Sequence, residues 1–536
     1  MTASQRAFVS SFTNVSLNNV ANTKFSNKTT NRKPEQGRWR MESDGVRPNR
    51  IAVIGAGWAG LGAAHHLAQQ ENTEVTLIDA APSVGGLVAG WKTKKGQDVE
   101  VGIHGMWRPY FNLFHLVKRE LGLDPFTDWT RSSQRSPKGK VVESPIFNDM
   151  PRLPSPMGTF VYTKFLDLPL VDRLSALPLL EAVILWDNSD EAWRKFDKMT
   201  AKELFKQYGC SERVYKEAFE PMLLVGLFAP GEQCSAAGAL GMLYFFILAH
   251  QADFDVVWPR GTVGTKIFAP LVDRIMSYGG KVRTATRLQD VVIEDNKVKS
   301  IVTTSGTGLE ESLDVDALIF SVGISGLQGI LRNSKTLASR EEFRNTNNLS
   351  SIDVMAVRLY FDRKIRIEFD SNACFGFDEM TGWTYFNLNA IHDEFNDADK
   401  TVIEADFYHS NQLMPMDDGE IAEEVRRRLC IAESTFKGAV VEDYVVVRVP
   451  RGVTHFRPGS YQDFMDTTTS IENVFMSGDW YVQAPTCCCY RATRIADTYH
   501  FASCLAAFLF NLMRCTKQDK DFAWQLQSGE SPCYRV

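Results

Sequence analysis

The hydrophobic pattern of residues 51–78 consists of two short apolar runs separated by a helical stretch. Residues 51–54 are all apolar, which is typical of a buried parallel strand. Apolar residues then recur at helical spacing between residues 61 and 68, and residues 75–78 form a second apolar run. The pattern predicts a strand, a helix and a second strand, the usual first unit of a parallel α/β sheet.

Three glycines occupy the turn between the first strand and the helix. Gly55 allows a tight turn, Gly57 lets backbone N–H groups approach a pyrophosphate, and Gly60 lets the helix pack closely on the strand. The N-terminus of the helix then faces the phosphates. Asp79 ends the second strand roughly 20 residues beyond the glycines, where a carboxylate can accept hydrogen bonds from ribose hydroxyls. The order of these elements predicts a nucleotide-binding unit rather than a purely structural turn.

Farther along the chain, the pattern predicts further helices and strands. Helical spacing covers residues 112–121, 174–186, 201–208 and 266–278. The strand patterns at 288–293 and 298–303 flank the polar turn Asp295-Asn296, which predicts a hairpin. Period-two alternation at 355–361, 402–408 and 444–449 predicts an antiparallel sheet. Residues 126–169 have little periodicity and many prolines, serines and aromatic residues, so they are predicted to be loops at the margin of an active site.

The longest apolar run is residues 236–249. It is shorter than the roughly 20 residues that a helix needs to span a bilayer. It therefore predicts a buried helix, and the alternative is a surface that dips into one leaflet and admits a lipid-soluble substrate.

Composition and charge narrow the classes of function. The chain has 536 residues, 44% of them hydrophobic, and a net charge of −6. An acidic chain without a basic stripe is not typical of nucleic-acid binding. The ten cysteines and nine histidines have no spacing typical of a zinc site, so no metal is expected.

Residues 1–46 differ in composition from the rest of the chain. They are rich in serine, threonine and asparagine and carry many basic residues, and Glu35 is the one acidic residue before Met41. This composition is typical of an organelle transit peptide. A disordered tail is the alternative.

Later motifs give the chain a family resemblance. They are the pair Gly85-Gly86 after Asp79, the turn Gly102-Ile103-His104, the segment Trp258-Pro259-Arg260-Gly261, and the pair Gly478-Asp479. Together with the first glycine unit, they extend over residues 50–507. The chain resembles the plant and cyanobacterial carotene desaturases, that is, the phytoene and zeta-carotene desaturases, within the FAD-dependent amine oxidase superfamily.

The resemblance implies an α/β fold. A Rossmann-like FAD-binding domain of the glutathione reductase or amine oxidase type would be interleaved with a substrate domain of antiparallel sheet plus helices. The expected regions are a plastid-targeting presequence or disordered tail (1–46), a first FAD-binding segment (47–118), a helical substrate and membrane-facing region (119–251), a second FAD-binding segment (252–330), a substrate domain with the antiparallel sheet (331–465), a third FAD-binding segment (466–515) and a C-terminal tail (516–536).

The resemblance also implies which residues bind FAD. Leu288 is expected beside the adenine and Asp479 beside the ribityl and pyrophosphate groups. A helix that begins near Pro485 is expected to point its N-terminus at the flavin ring. The full expected set is Gly55, Ala56, Gly57, Trp58, Ala59, Gly60, Asp79, Ala80, Gly85, Gly86, Leu87, Gly102, Ile103, His104, Leu288, Gly478 and Asp479.

The activity implied by the resemblance is desaturation of a carotenoid or related apolar isoprenoid by hydride transfer to flavin and loss of a proton. His104, Arg108 and Arg260 are candidates for the flavin margin, and no catalytic base is assigned. The implied partners are an apolar substrate, a membrane surface contacted peripherally and a quinone as electron acceptor. The implied location is the plastid, membrane-associated on the stromal side.

Two departures from the family pattern leave other functions open. Many carotene desaturases have Met-Glu-Gly-Ala where this chain has Cys489-Tyr490-Arg491-Ala492. The phenylalanine-rich continuation after the Gly-x-His turn is replaced by Gly105-Met106-Trp107. The alternatives are a flavin-dependent carotenoid isomerase or amine oxidase-like enzyme on another apolar substrate, and a non-catalytic protein that binds flavin and a polyene.

Overall fold

The structure is a computed structural model that describes residues 47–108, 110–130, 132–144, 168–186, 189–244, 256–378 and 382–482. Its α-helices are α1 (Trp58–Ala68), α2 (Phe111–Phe114), α3 (Leu170–Ser175), α4 (Leu179–Leu185), α5 (Asp190–Phe196), α6 (Ala201–Gln207), α7 (Glu212–Val214), α8 (Glu220–Leu227), α9 (Ala236–Leu243), α10 (Ala269–Ser277), α11 (Ile324–Asn333), α12 (Lys335–Ala338), α13 (Glu341–Asn345), α14 (Leu388–Ile391) and α15 (Asp418–Ala432). Three π-helical turns adjoin α2, α7 and α10, namely His115–Glu120, Tyr215–Phe219 and Gly264–Phe268.

The strands are β1 (Asn49–Ile54), β2 (Thr73–Ile78), β3 (Gly90–Lys92), β4 (Asp98–Glu100), β5 (Met106–Trp107), β6 (Ser132–Ser136), β7 (Gly139–Ser144), β8 (Val256–Val257), β9 (Lys281–Arg283), β10 (Thr286–Glu294), β11 (Lys297–Ser305), β12 (Glu310–Asp314), β13 (Ala317–Phe320), β14 (Ser351–Phe361), β15 (Ser371–Cys374), β16 (Trp383–Asn387), β17 (Val402–Phe407), β18 (Val441–Thr454), β19 (Met465–Asp466), β20 (Val474–Met476) and β21 (Tyr481–Val482).

Five parallel strands form the sheet that positions the cofactor site, in the order β20-β13-β1-β2-β9. Helices α1 and α10 pack on one face, where Leu67 and Ile275 are buried. The antiparallel sheet β10-β11-β12 and α11 cover the other face, where Leu327 is buried. Because the strands are parallel, their carboxyl ends meet at one edge. The predicted strand-helix-strand unit is confirmed.

A second sheet has seven strands in the order β18-β14-β17-β16-β15-β6-β7. Its pairs are antiparallel except β15 with β6. One face packs on α15 through apolar residues such as Val357, Trp383 and Ala405. The opposite face carries the alternate residues of the same strands, among them Arg358 and Asp406. The predicted antiparallel sheet is confirmed, and with it the α/β fold that combines a parallel sheet with a largely antiparallel one.

The predicted hairpin is also confirmed. Strands β10 and β11 pair in antiparallel register around the turn of Asp295 and Asn296. Both turn residues have positive φ, +49° and +60°, which is the backbone geometry of the tightest hairpin turns.

Two local predictions are wrong. Within residues 126–169, predicted to be loops, β6 and β7 form a hairpin; residues 145–167 lie outside the described residues. β6 is held by a parallel pairing with β15 and by Ser133, whose hydroxyl donates to Asn372 at 2.7 Å. Local periodicity carries no information on such a long-range partner. The helix predicted at 174–186 is broken between α3 and α4, because Pro178 disfavours helical backbone at the residue before it.

The apolar run at 236–249 forms α9 over its first eight residues, where Ala237, Leu240 and Leu243 are buried. The prediction of a buried helix is confirmed for these residues, and residues 245–249 lie outside the described ranges. Among the helices that the structure describes, none has the length and apolar character needed to cross a membrane.

Candidate cofactor site

In the turn after β1, packing within the protein requires glycine at two positions. Gly55 has a φ of +104°, and a Cβ there would lie 2.3 Å from the carbonyl oxygen of Ser321. A Cβ on Gly60 would lie 1.7 Å from the carbonyl oxygen of Gly55. Any side chain at either position would collide with rigid backbone, so both glycines are needed whether or not a ligand binds.

Gly57 is different. A Cβ there would meet only the Cα of Gly86, at 3.9 Å, which is an ordinary contact, and its φ is −78°. Packing within the protein therefore does not require glycine at this position. Gly57 also precedes α1 without offering a side chain to cap the first N–H groups of the helix. Uncapped N–H groups at the start of a helix form a site for an anion such as phosphate.

A second glycine turn completes this side of the site. Gly85 has a φ of +128° and Gly86 a φ of +57°. The N–H of Gly85 donates to the carbonyl oxygen of Ala56 at 2.8 Å, and a Cβ on Gly86 would lie 3.2 Å from the Cα of Gly57. The two predicted glycine motifs thus form one cradle of bare backbone, a shape that fits a pyrophosphate.

Asp79 lies beside this cradle, at the carboxyl end of β2. One carboxylate oxygen accepts from the N–H of Ala56 at 2.6 Å, and the other accepts from the N–H of Ala81 at 2.7 Å. A carboxylate oxygen has two lone pairs, so each can accept a further hydrogen bond. The contact of Asp79 with a ribose stays a prediction.

The remaining residues predicted for the nucleotide half lie around the same edge. Trp58 packs edge-on against Phe268 with ring centroids 4.6 Å apart, and Ala59 is buried. Ala80 and Leu87 are exposed. Leu288 is buried in β10, whose first N–H, that of Thr286, donates to the carbonyl oxygen of Asp79. The contact of Leu288 with adenine stays a prediction.

The turn Gly102-Ile103-His104 faces the seven-stranded sheet. Gly102 has a φ of +78°, and a Cβ there would lie 2.9 Å from a carboxyl oxygen of Asp406. The N–H of Ile103 donates to that oxygen at 2.7 Å. His104 closes the turn with a 3.0 Å hydrogen bond from Nδ1 to the carbonyl oxygen of Gly102. Burial lowers the pKa of His104 to about 4, so its imidazole is neutral at physiological pH.

Arg108 and Arg260 both contact the segment 125–130. The guanidinium of Arg108 lies over the ring of Trp129, 4.0 Å from the centroid. Arg260 donates through Nε to the carbonyl oxygen of Phe126 at 2.8 Å, and through its backbone N–H to Pro125 at 2.7 Å. The structure thus brings the two arginines to one wall near the turn, and their catalytic role stays a prediction.

Gly478 and Asp479 follow β20 at the same edge of the parallel sheet. Gly478 has a φ of +158°. The hydroxyl of Thr454 donates to the half-buried carboxyl group of Asp479 at 3.0 Å, and Trp480 donates through Nε1 to the carbonyl oxygen of Val322 at 3.1 Å. The predicted helix near Pro485 and the segment Cys489-Tyr490-Arg491-Ala492 lie outside the described residues.

Sequence reasoning missed a group of charged residues behind the Gly102 turn. Arg358 and Glu404, each 2% exposed, form an ion pair with Nε 2.6 Å from the carboxylate. Glu100, also buried, accepts from the N–H of Val263 at 2.9 Å. The group is completed by Asp406. The alternation of β14 and β17 could have placed Arg358, Glu404 and Asp406 on one face, but nothing local brings Glu100 to them.

Three carboxyl groups and one guanidinium share this site, so the group is short of positive charge. Burial, together with the negative charge of Glu404, raises the pKa of Glu100 to about 8. Burial and Glu404 also raise the pKa of Asp406 well above its usual value. Among the residues that the structure describes, no three His, Cys, Asp or Glu side chains are placed to hold a metal ion. The raised pKa values mean that Glu100 and Asp406 keep a proton to higher pH than ordinary carboxyl groups do.

Comparison with known proteins decides the family. The family model described as flavin containing amine oxidoreductase matches residues 58–493. The chain belongs to this family. It is an FAD-dependent oxidoreductase, and the cradle of Gly57 and Gly86, with the uncapped start of α1, fits the pyrophosphate of FAD.

Two curated relatives are similar over most of the chain. A 15-cis-phytoene desaturase of an Oncidium hybrid cultivar is 26% identical over 454 residues, 82% of this chain and 75% of the relative. A protein of Synechococcus elongatus named "Probable zeta-carotene desaturase" is 22% identical over 460 residues, 81% of this chain and 94% of the relative. The predicted similarity to the carotene desaturases is confirmed.

A solved structure agrees on the fold. Cyclohexylamine oxidase from Brevibacterium oxydans superposes with a TM-score of 0.62 at 14% sequence identity, covering 87% of this chain and 100% of the other. At this identity, the likeness bears on the fold alone. It places this flavin amine oxidoreductase among chains that combine a parallel sheet with a largely antiparallel one.

Proposed function

We propose that this flavin amine oxidoreductase introduces a carbon–carbon double bond into a carotenoid or related apolar isoprenoid. The observation that carries the proposal is the similarity to phytoene desaturase over 82% of the chain. The family model matches residues 58–493, which include Gly86 and the Gly102 turn. Bound FAD would supply the oxidising chemistry, which removes a hydride from one carbon while the neighbouring carbon loses a proton.

The protein residues then have binding and positioning roles. Backbone N–H groups around Gly57 and Gly86 hold the pyrophosphate, and Asp79 accepts hydrogen bonds from the ribose. Asp479, oriented by Thr454, contacts the ribityl region. The Gly102–His104 turn borders the flavin ring, and neutral His104 adds no charge there. Arg108 and Arg260 stabilise the wall at residues 125–130, which excludes water from the reacting carbons.

An apolar substrate is supported by aromatic residues on the sheet face that carries Asp406. Tyr408, which directly follows β17, packs edge-on against Phe228 with ring centroids 5.1 Å apart. Phe386 of β16 packs edge-on against Trp258, also at 5.1 Å. These pairs provide apolar surface on both sides of the Asp406 position, as a site for a long hydrocarbon requires.

Peripheral binding to a membrane is the second element of the proposal. Helices α3 and α4 and the turn between them expose a cluster of large apolar side chains, with exposed fractions of 66% for Leu170, 73% for Val171, 48% for Leu174, 42% for Leu177 and 60% for Leu185. Such clustering is unusual for a surface that meets water only. The proposed occupant is the lipid bilayer that dissolves the substrate, and α3–α4, rather than α9, is the contacting surface.

Vesicle sedimentation tests the membrane surface. With phosphatidylcholine vesicles, we expect wild type to sediment and the double variant Val171→Ser/Leu174→Ser to remain mostly in solution. The matched control is Leu309→Ser, because Leu309 is 69% exposed but belongs to another region of the fold. Equal sedimentation of the double variant and wild type would contradict this surface.

The activity is tested by the visible spectrum of the purified protein under anaerobic conditions. Liposomes containing phytoene, zeta-carotene or beta-carotene are added in turn. We expect one of them to bleach the oxidised flavin band and to yield a product lighter by two hydrogens. A flavin band that survives every carotene would reject desaturation of these substrates. A product of unchanged mass would indicate an isomerase.

The electron acceptor and location complete the proposal. We propose a lipid-soluble quinone as acceptor, because it would meet the enzyme in the same bilayer as the substrate. The stromal side of a plastid membrane is the proposed location, supported by relatives named as chloroplastic and by the composition of residues 1–46. Reoxidation of the bleached flavin by plastoquinone tests the first point, and import of the full chain into isolated chloroplasts tests the second.

A further inference from the structure

The turn next to the proposed flavin position is held by a residue from a distant strand. Asp406 of β17 accepts from the N–H of Ile103 at 2.7 Å, and its carboxyl group packs directly on Gly102. Glycine is needed at 102 for two reasons, since φ is +78° and a Cβ would lie 2.9 Å from Asp406. The carboxyl group of Asp406 can therefore pack on the turn only because residue 102 is glycine.

The second carboxyl oxygen of Asp406 has an unusual environment. This oxygen is buried, and no residue that the structure describes donates a hydrogen bond to it. The nearby guanidinium, that of Arg358, is directed to Glu404 and to the carbonyl oxygen of Asp98. A carboxylate with one oxygen buried and unpartnered is poorly solvated, so the protonated acid is favoured.

We propose that Asp406 is a positioning residue of the cofactor site, and that it holds the Gly102–His104 turn against β17 as an uncharged acid. The inference deepens the proposed function, because it rests on the turn bordering the flavin. A negative charge at this point would oppose the gain of electrons by the flavin, since like charges repel strongly in a site with little water. The neutral acid provides the same hydrogen bond to Ile103 without that charge.

The charged and titratable groups around Asp406 come from several elements. Glu404 on β17, Glu100 on β4, Arg358 on β14 and Tyr408 after β17 act on Asp406 directly. His104 lies in the turn itself, and Tyr360 on β14 and His392 with Glu394 after α14 neighbour the same charged group. Arg358 is the one permanent cation among them, and it is paired with Glu404. Glu100 lies near His392, with 4.0 Å between the carboxylate and Nε2.

Three variants of the FAD-loaded protein test the proposal. Asp406→Asn keeps an uncharged acceptor for Ile103, whereas Asp406→Ala removes it. The matched control is Asp197→Ala, because Asp197 is another buried aspartate whose carboxylate accepts a long-range backbone N–H, that of Tyr461, at 2.9 Å. The readouts are the dissociation constant of FAD, the flavin absorption spectrum and the midpoint of thermal unfolding.

We expect Asp406→Asn to bind FAD within about twofold of wild type at pH 7 with an unchanged spectrum. Asp406→Ala should weaken FAD binding about tenfold, the loss of one buried hydrogen bond, and shift the flavin band. Asp197→Ala should lower the thermal midpoint and leave FAD affinity unchanged. Unchanged affinity in Asp406→Ala would overturn the positioning role, and an Asp406→Asn variant that binds as weakly as Asp406→Ala would overturn the uncharged state.

A pH series keeps the test decisive if Asp406→Ala does not fold. As the pH is raised above 7, the reduction potential of the bound flavin should fall more steeply in wild type than in Asp406→Asn, because an ionised Asp406 opposes the gain of electrons by the flavin. Identical profiles would overturn the inference. Failure of the proposed function would look different: wild type itself would bind no FAD, or would bind it and never be reduced by a substrate.

Discussion

The proposed cofactor site has two halves, the glycine cradle at the parallel sheet and the Gly102 turn at the seven-stranded sheet. The two halves are built in opposite ways. At the edge of the parallel sheet, Gly55, Gly57 and Gly86 present backbone and no side chains, and the charge of a phosphate would be met by N–H groups. At the seven-stranded sheet, the carboxyl group of Asp406 holds the Gly102 turn, and the ion pair of Arg358 and Glu404 lies on the same sheet face with each residue 2% exposed. The glycine cradle therefore depends on the absence of side chains, whereas the Gly102 turn depends on a group of buried ionisable side chains.

The difference predicts different consequences of mutation. In the glycine cradle, an added methyl group blocks a ligand without disturbing the fold, provided that the protein leaves room for it. In the charged group, Arg358 and Glu404 compensate each other, so removal of either leaves the other unpaired in a medium of low polarity.

The largest effect is expected for Arg358→Met. Glu404 would lose its buried partner, and the free energy of unfolding should fall by about 3 to 5 kcal/mol in denaturant titrations. The comparison variant is Lys281→Met at the parallel sheet, where the ion pair with Glu74 is exposed on both sides and its loss should cost less than about 1 kcal/mol. Equal losses in the two variants would remove the contrast between the two halves.

Gly57→Ala should separate cofactor binding from folding. The nearest atom to the new methyl group is the Cα of Gly86 at 3.9 Å, so the free energy of unfolding of the FAD-free protein should change by less than about 1 kcal/mol. FAD affinity should fall roughly 100-fold, because the methyl group occupies the approach of the pyrophosphate. Equilibrium dialysis with FAD measures the affinity.

Gly329→Ala is the matched control for this variant. Gly329 lies inside α11, and a Cβ there would meet only the flexible end of Arg332, at 3.5 Å. FAD binding should be unchanged. Full FAD affinity in Gly57→Ala would contradict the assignment of the cradle to the pyrophosphate.

The pH dependence of stability is the smallest of the three effects. The pKa of Glu100 is raised to about 8 in the folded chain, whereas an unfolded glutamate has a pKa of about 4.3. Between these values the folded state holds the extra proton, so stability falls as the pH rises through this window. Between pH 5 and 9, Glu100→Gln should lose about 1 to 3 kcal/mol less stability than wild type. Thermal midpoints across this pH range measure the difference.

The control for the pH series is Glu310→Gln, because Glu310 is an exposed residue of β12. Its pH profile should match that of wild type. If Glu100→Gln also matched wild type, the proton held in the charged group would have to be assigned to other residues.

The sequence predicted more of the glycine cradle than of the charged group behind the Gly102 turn. The glycine cradle could be predicted because its components are close in the chain: Gly55, Gly57 and Gly60 form one turn, and Asp79 and Gly86 follow within the same unit. Such short-range motifs fix local backbone geometry directly. The period-two pattern also predicted the strands of the second sheet, since a half-buried sheet imposes alternation on each strand separately.

What the sequence by itself determined is therefore the nucleotide-binding unit, which depends on local backbone geometry, and the strands of the second sheet, which depend on alternation; the choice of FAD as cofactor came from the family resemblance. Only the tertiary structure decided that β6 pairs with β15, and that Glu100, Arg358 and Asp406 meet behind the Gly102 turn. These contacts join residues hundreds of positions apart, and their energies depend on burial and on neighbouring charges. Burial and the arrangement of neighbouring charges exist only in the folded chain, so no local pattern in the sequence predicts them.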